Sequence, residues 1–256
     1  MANVRIIGKK GSQSRKAISD ATGIGLYTGQ TGIDAVINYG LAGDRLHAAL
    51  NKYKNLKNIP MLNKYVGLSK FLVVKKAAEK NILVPESKNS LSKNDRLSDW
   101  IEKRVHSSQG NGIIAAHRRS EIAGKYYQRM IKDRRYEFRV HAFRWLPKEE
   151  WTINKRIGPA DQIAWNFHQG GHFQSVRYPN KYQVFLDAKE ISVKILEMLN
   201  MAFGAVDLIV DNDMKVYFIE VNSSPGFSEF NRSVYVNAMN ELKNLSAREI
   251  SKLGRK

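Results

Sequence analysis

The segment FGAVDLIVDNDMKVYFIEVNSSPGF, residues 203–227, constrains the fold more than any other part of the chain. Two apolar runs of strand length, FGAVDLIVD and KVYFIEVN, flank the polar pair Asn212-Asp213. A polar pair between two such runs is typical of a tight turn. The segment therefore predicts a β-hairpin in the last quarter of the chain.

Three oxygen donors in this hairpin predict a metal site. Glu220 and Asn222 share one face of their strand, because side chains alternate between faces. With an even-residue turn centred near 212–214, Asp207 faces the same side from the neighbouring strand, and Phe218 also lies there. Carboxylates among apolar side chains are costly unless they are liganded. The set suits Mg²⁺, although a hairpin with polar residues on its wet face is the simpler alternative.

The composition is that of a globular protein and excludes several kinds of site. The chain has 256 residues, which predicts one or two domains, and 43% of them are hydrophobic. It has no cysteine, which excludes disulfides, cysteine-ligated zinc, iron–sulfur clusters and a cysteine nucleophile. No run is long enough to span a bilayer, and the amino-terminal apolar stretch is too short for a signal peptide. We therefore expect a cytoplasmic protein without a membrane partner.

The charge is strongly positive and unevenly distributed. There are 42 Lys and Arg against 24 Asp and Glu, a formal net charge of +18. Residues 157–256 contain 11 basic and 11 acidic residues, so the excess lies in the first 156 residues. A basic field attracts nucleotides, nucleic acids or acidic peptides, and a basic surface kept for solubility is the alternative.

Short periodic patterns predict the other elements. Residues 1–60 read as a βα lead-in with strands at VRII and DAVINYG, a helix over 12–22 closed by Gly23, and a helix capped by Asp44. Further helices are expected over 66–83, 187–201 and the last twenty residues. Strands are expected at 100–105, 126–131 and 136–143, with extended structure near GIIAA.

Two further segments have phosphate-binding chemistry. Lys103 lies in a predicted strand that runs into the loop SSQGNG, residues 107–112, where glycines let backbone N–H groups approach phosphate oxygens. Neither a Walker A loop nor a dinucleotide-binding glycine motif occurs in the chain. In residues 153–173, Arg156 and Asn166 could neutralise charge moving between phosphate and acceptor.

Together these segments resemble the ATP-grasp superfamily, in particular the RimK-type alpha-L-glutamate ligases and related carboxylate–amine ligases. Lys103 and SSQGNG resemble the family's strand lysine and G-T-Q-G-x-G loop, and YYQRMI, residues 126–131, resembles its adenine hinge. Glu137-Phe138-Arg139 resembles its acidic-x-Arg pair, and NFHQGG, residues 166–171, its N-L-H-R-G-G stretch. GAVDL and FIEVNSSPGF resemble its metal hairpin. The resemblance covers roughly residues 59–240.

The resemblance implies a role for each matching position. Asp207, Glu220 and Asn222 would hold one or two Mg²⁺ ions, for which Mn²⁺ could substitute. Arg139, Arg156 and Asn166 would be the catalytic residues that stabilise the transferred phosphoryl group. The ATP-binding residues would be Lys103, the lid residues Ser108, Gln109, Gly110 and Gly112, the hinge residues Gln128, Met130 and Ile131, and Glu137 at the ribose. The backbone of Met130 and Ile131 would bind the adenine edge, and Asp133 is the alternative to Glu137.

The chain departs from the family pattern at several positions. The lid begins with Ser107 where the family has glycine, and Arg129 replaces the acidic hinge residue. The family has an arginine two residues before the asparagine that corresponds to Asn166, and this chain has Ala164 there. Arg139 or Arg156 would then have to stabilise the γ-phosphate instead. The amino-terminal lead-in of about 60 residues is also shorter than usual, which would alter the substrate surface.

The expected fold is α/β, built as an ATP-grasp fold in which two antiparallel-sheet α+β subdomains hold ATP. The expected domains are a lead-in at 1–60, a central subdomain with the lid at 61–131, and a carboxyl-terminal subdomain with the metal site at 132–256.

The expected enzyme is an ADP-forming carboxylate–amine ligase that acts through an acylphosphate. Its partners would be a carboxylate, such as an acidic peptide or a protein carboxyl terminus, and an amine or amino acid. The alternatives are a small-molecule kinase and a non-catalytic, basic nucleic-acid-binding protein with stacking aromatic residues.

Overall fold

The computed structural model describes residues 1–64, 67–106, 112–158 and 171–254. Within these ranges the chain forms three β-sheets with helices packed against them. One sheet is parallel and the other two are antiparallel. None of the described helices is long and apolar enough to cross a membrane.

The amino-terminal sheet is parallel and three-stranded. Its strands β1 (Val4–Gly8), β2 (Ala35–Tyr39) and β3 (Met61–Leu62) are connected through helices α1 (Gln13–Thr22) and α2 (Gly43–Lys52). Helix α1 begins and ends as expected, with the Ser12 hydroxyl accepting from Arg15 N–H and with Gly23 in the left-handed region. The predicted cap of α2 is wrong, because Ala42 occupies the cap position and Asp44 lies in the first turn.

The second sheet is antiparallel, and its strand order is β4-β7-β5-β6. Helix α3 (Lys70–Glu79) precedes β4 (Ser87–Lys88), β5 (Trp100–Arg104), β6 (Ile114–Ala115) and β7 (Lys125–Arg129). Cross-strand pairing places Lys103 opposite Tyr126 and Ile101 opposite Gln128, so these four side chains share one face. On the other face Trp100 and Tyr127 form a small core with Leu91 and Ala116.

The third sheet is antiparallel and five-stranded, and its strand order is β10-β9-β8-β11-β12. Its strands are β8 (Arg134–Phe143), β9 (Thr152–Ile157), β10 (His172–Ser175), β11 (Phe203–Asp211) and β12 (Val216–Asn222). Helix α4 (Gln183–Met198) starts four residues earlier than predicted. Helices α5 (Glu229–Asn244) and α6 (Ala247–Leu253) form the predicted helical carboxyl end.

One face of the five-stranded sheet belongs to the main hydrophobic core. Val140, Val206 and Leu208 are fully buried there, and Phe138 on the same face packs against Phe185 of α4. Tyr39 of β2 stacks on Phe203 of β11, with ring centroids 6.2 Å apart, which joins the two sheets. Phe203 and its partner Phe143 lie on the opposite face of the five-stranded sheet, which is therefore apolar at that end and polar around Asp207 and Arg139.

A β-bulge decides which hairpin residues reach that polar face. Val210 pairs with Val216, so the turn is odd-numbered, and regular pairing would place Asp207 opposite Ile219. The register instead shifts at Asp207, which pairs with Glu220 and leaves Ile219 as the extra residue. The expected even turn is thus wrong, but Asp207 and Glu220 still share a face.

The same bulge corrects the expectation for Phe218. This residue pairs with Leu208, whose side chain points into the main core, and Phe218 is fully buried there. It does not share the face of Glu220. The apolar surroundings predicted for the carboxylates on that ground are therefore wrong, and their neighbours are charged.

Candidate active site

Four polar residues form one continuous row across the five-stranded sheet. Cross-strand pairing connects Glu220 to Asp207, Asp207 to Arg139 and Arg139 to Asn154, each on its own strand. We call these four residues the polar row. Because paired residues of antiparallel strands point to the same side, all four lie on the face opposite to that of Val140, Val206 and Leu208.

Arg139 and Asp207 form a bidentate ion pair at the centre of the row. The guanidinium donates from Nε to Oδ1 at 2.6 Å and from Nη2 to Oδ2 at 2.7 Å. Burial alone would raise the pKa of the Asp207 carboxyl, but the charge and hydrogen bonds of Arg139 lower it overall. Asp207 is therefore ionised at neutral pH and available to a cation.

Glu137 lies between two arginines on the same face. Its carboxylate accepts from Arg134 at 2.7 Å and from Arg156 at 3.0 Å. Arg156 also approaches Asp207 Oδ2 at 3.7 Å, which connects this cluster to the polar row. Burial raises the pKa of Glu137 against the opposing effect of the arginines. The cluster is rich in guanidinium groups, which suit phosphate oxygens.

Glu220 is paired with a lysine that the sequence analysis did not assign to the site. Lys70, the first residue of α3, places Nζ 2.5 Å from Glu220 Oε2. Its backbone N–H donates to the Val105 carbonyl at 2.9 Å, which holds the start of α3 beside the end of β5. Asn222 Nδ2 lies 3.4 Å from Glu220 Oε1 and 3.5 Å from Asp207 Oδ2. The three predicted metal ligands are thus together.

Lys103 lies on the inner face of the second sheet, where its charge interacts with the polar row. Its side chain is 4% exposed, and Nζ donates to Gln128 Oε1 at 2.9 Å. Burial lowers the pKa of Lys103 to about 8, against the raising effect of Glu220. The Tyr126 ring lies beneath this ammonium, and its buried hydroxyl has no hydrogen-bond partner in the described parts of the chain.

This donor set suits a magnesium ion bound together with phosphates. Within the described ranges there is no cluster of three or more His, Cys, Asp and Glu residues placed to hold a metal. Asp207 and Glu220 supply two carboxylates and Asn222 an amide, and Mg²⁺ commonly takes one or two carboxylates and completes its shell with water and phosphate oxygens. The nearby arginines and lysines would then bind the remaining phosphate charge.

A comparison with protein families identifies the fold around this site. Residues 155–245 match the RimK-like ATP-grasp domain. A probable alpha-L-glutamate ligase from Histophilus somni (strain 129Pt) is 28% identical over 215 residues, covering 75% of this chain and 69% of that protein. Residues 155–245 are thus similar to a RimK-like ATP-grasp domain, and the longer match is to an alpha-L-glutamate ligase.

Solved ATP-grasp structures share the architecture at low sequence identity. D-alanine–D-alanine ligase from Bacillus anthracis superposes with a TM-score of 0.62 at 14% identity, covering 98% of this chain and 99% of that chain. The ATP-grasp ligase PsnB complexed with a minimal precursor gives a TM-score of 0.61 at 11% identity, covering 95% and 100%. The predicted α/β ATP-grasp fold is therefore confirmed.

The ATP-grasp fold brings most of the predicted site residues to its two inner sheet faces. On the hinge, the Met130 N–H already donates to the Asp99 carbonyl at 2.8 Å, so this N–H is not free to bind a base. Gly112 has a φ of 82°, a conformation that suits glycine. The other predicted lid and catalytic positions, Ser108, Gln109, Gly110 and Asn166, lie outside the described residues.

The sequence analysis missed two polar residues of this ATP-grasp site besides Lys70. His141 lies two residues after Arg139 on the same face of β8, and Asn154 lies two residues before Arg156 on β9. Both are buried. The i, i+2 spacing from a predicted site arginine was the available signal, because alternate residues of a strand share a face.

Proposed function

We propose that the chain is an ATP- and Mg²⁺-dependent carboxylate–amine ligase that forms an amide through an acylphosphate and releases ADP and phosphate. The observation that supports this most is the polar row and its neighbours. Two carboxylates and an amide lie on one hairpin, beside partly buried arginines and across from a buried lysine. Such a set binds a metal–triphosphate complex and stabilises a transferring phosphoryl group.

The proposed roles follow from the position of each side chain. Asp207, Glu220 and Asn222 would hold one or two Mg²⁺ ions, with Mn²⁺ as a substitute. Such ions neutralise charge on the β- and γ-phosphates. Lys103 would bind phosphate oxygens from the opposite sheet. The hinge positions Gln128, Met130 and Ile131, and Glu137 at the ribose, would hold the nucleoside.

The arginines would act on the group that is transferred. Arg139 and Arg156 carry guanidinium groups on the face that also holds the proposed metal ligands. A substrate carboxylate attacks the γ-phosphorus and ADP leaves, which gives the acylphosphate. An amine then attacks the acyl carbon and phosphate leaves. Positioning and charge neutralisation are the chain's main contributions to both steps.

The substrates are proposed only as classes. The excess positive charge of the first 156 residues favours an acidic donor such as a peptide or a protein carboxyl terminus. Peptide-bound relatives support this class. A RiPP-associated ATP-grasp ligase from Chryseobacterium gregarium, in complex with ADP and a leader and core peptide, superposes with a TM-score of 0.58 at 13% identity, covering 96% of this chain and 98% of that chain.

The domain boundaries at 1–60, 61–131 and 132–256 also remain a proposal. The four-stranded sheet within 87–129 and the five-stranded sheet within 134–222 support the boundary between 131 and 132. The parallel sheet extends over 4–62 and includes β3, so the first boundary falls a few residues later than 60.

Thermal unfolding with Mg·ADP tests the nucleotide–metal site. A ligand at one hundred times its dissociation constant adds about 2.7 kcal/mol of stability, which is a shift of several degrees for a chain of this size. We expect this shift in the wild type, and we expect a chelator or Glu220→Gln to abolish it. Glu241→Gln, an exposed glutamate on α5, is the matched control. An unchanged shift in Glu220→Gln would contradict the metal assignment.

Hydroxylamine trapping then separates the ligase from the kinase alternative. Acids that stimulate ADP release are incubated with Mg·ATP and hydroxylamine, which converts an acylphosphate to a hydroxamate. A kinase phosphorylates a hydroxyl group and yields no hydroxamate. ADP release without hydroxamate from any such acid would therefore favour the kinase. Salt-dependent DNA binding without a nucleotide-induced shift would favour the nucleic-acid-binding protein.

A further inference from the structure

Two arginines of the site share one aromatic ring. Phe173 of β10 pairs with Arg156 of β9, and its ring centroid lies 4.9 Å from the guanidinium carbon of Arg156 and 5.1 Å from that of Arg139. Both distances are within the range in which an aromatic ring attracts a cation. Because cross-strand partners share a face, Phe173 lies on the side of the sheet that carries Glu137 and Asp207. The ring therefore lies at the proposed nucleotide–metal site.

The carboxylates that hold these arginines also have other proposed ligands. Asp207 accepts two hydrogen bonds from Arg139 and lies 3.7 Å from Arg156, and it is a proposed Mg²⁺ ligand as well. A carboxylate has about four lone-pair sites, and a site that binds a metal is lost to a guanidinium. Arg156 also donates to Glu137, the residue proposed to bind the ribose. The arginines therefore need a contact for which the metal and the nucleotide do not compete.

The ring of Phe173 supplies such a contact. It attracts a guanidinium through its π electrons and not through a lone pair, so a metal bound to carboxylate oxygens leaves this attraction in place. A guanidinium has five N–H donors, so donors remain for phosphate oxygens beside the bonds to Asp207 and Glu137. The ring can thus hold both cations without occupying the groups that bind phosphate.

We propose that Phe173 is a positioning residue that keeps Arg139 and Arg156 directed at the γ-phosphate of the bound nucleotide. This inference rests on the proposed ligase function and extends the site to β10, a strand that carries none of the residues assigned so far. Phe173 acts through the two arginines and need not touch the nucleotide. The alternative is a packing role, in which the ring only covers the apolar stems of the arginine side chains. An aliphatic side chain of similar size would serve that role equally well.

Phe173→Leu and Phe173→Tyr separate these two roles by calorimetry. Leucine keeps an apolar side chain but removes the π electrons, and tyrosine keeps the ring. The probes are Mg·ADP and the magnesium complex of an ATP analogue in which nitrogen replaces the oxygen between the β- and γ-phosphates. We expect Phe173→Leu to bind the triphosphate analogue about tenfold more weakly than the wild type and Mg·ADP within about twofold of it. Phe173→Tyr should bind both nucleotides as the wild type does.

Phe185→Leu is the matched control. Phe185 is also partly buried, and its ring contacts Phe138 on the opposite face of the same sheet. Because Phe185 packs against the main core and Phe173 lies on β10, the last strand in the order of the described sheet, Phe185→Leu should lower the unfolding temperature at least as much as Phe173→Leu. It should leave the ratio of the two nucleotide affinities unchanged.

Three results would overturn the inference. They are an unchanged ratio of the two affinities in Phe173→Leu, a loss in Phe173→Tyr as large as that in Phe173→Leu, and an equal loss of affinity for both nucleotides in Phe173→Leu. The last result would mean that the ring supports the whole site and does not direct the arginines at the γ-phosphate. A wild type that binds neither magnesium nucleotide would instead refute the proposed function, and the inference with it.

Discussion

Lys103→Met should stabilise the nucleotide-free protein and at the same time weaken nucleotide binding. The ammonium of Lys103 is buried, and burial lowers its pKa from 10.5 to about 8. At pH 7 this change corresponds to about 3 kcal/mol of lost stability, at 1.36 kcal/mol for each pH unit. Methionine removes this cost but leaves Gln128 Oε1 unpaired, which costs about 1–2 kcal/mol. We therefore expect a net gain of about 1–2 kcal/mol at pH 7.

The pH dependence of stability gives this prediction a definite sign. Because the pKa of Lys103 in the folded chain lies below that in the unfolded chain, the unfolded chain binds more protons between about pH 8 and 10.5. The destabilisation caused by Lys103 is therefore complete below about pH 8 and decreases as the pH rises across that window. The advantage of Lys103→Met over the wild type should shrink as the pH rises from 7 to 9.5. Urea unfolding at several pH values measures this.

Nucleotide affinity should change with pH in the opposite direction. The charged fraction of Lys103 falls from about 90% at pH 7 to about 10% at pH 9, so the affinity of the wild type for Mg·ADP should fall about tenfold. Lys103→Arg keeps its charge throughout and should show little pH dependence, and Lys103→Met should bind weakly at every pH. A wild type with constant affinity from pH 7 to 9, or a less stable Lys103→Met at pH 7, would refute the reasoning.

Three other substitutions test the structure around the site. Gly40→Ala should cost about 1–3 kcal/mol, because φ is 83° and a Cβ would lie 2.3 Å from Ser224 Oγ, and thermal unfolding measures it. Phe218→Ala should lower the urea-derived stability by about 3–5 kcal/mol, since that ring is fully buried, and a loss below 1 kcal/mol would contradict its place in the core. Asp207→Asn leaves the partly buried Arg139 without its carboxylate and should cost about 2–3 kcal/mol, below the roughly 3–5 kcal/mol of a fully buried pair, with Mg·ADP binding lost in calorimetry.

Local sequence signals predicted the elements on which the site is built. The amino-terminal cap of α1 at Ser12 and its carboxyl-terminal cap at Gly23 could be predicted, because capping depends on a few adjacent residues. The strands that hold Lys103, Arg139 and Asp207 were readable because their apolar residues and turns recur at strand spacing. The ATP-grasp fold itself followed from the order of several motifs.

Contacts between distant segments could not be predicted from local sequence patterns. Lys70 reaches Glu220 across 150 positions, because α3 packs beside β12 and its first residue lies next to the end of β5. The Met130 N–H, expected at the adenine edge, is taken by the carbonyl of Asp99, the residue before β5. The first contact depends on how α3 packs beside β12 and the second on how β5 pairs with β7, and no local pattern in the chain specifies either.

In the hairpin, the residue types specify the candidate ligands, whereas the cross-strand register specifies which of them lie on one face. The residue types alone determined that a strand pair near the carboxyl end would present two carboxylates and an amide suited to Mg²⁺. Which of them share a face depended on the odd turn, which directs Phe218 into the core, and on one extra residue, Ile219, whose bulge brings Glu220 back to the face of Asp207. The bulge forms where the strand pairs with β11, so its position is decided by packing and cross-strand hydrogen bonds.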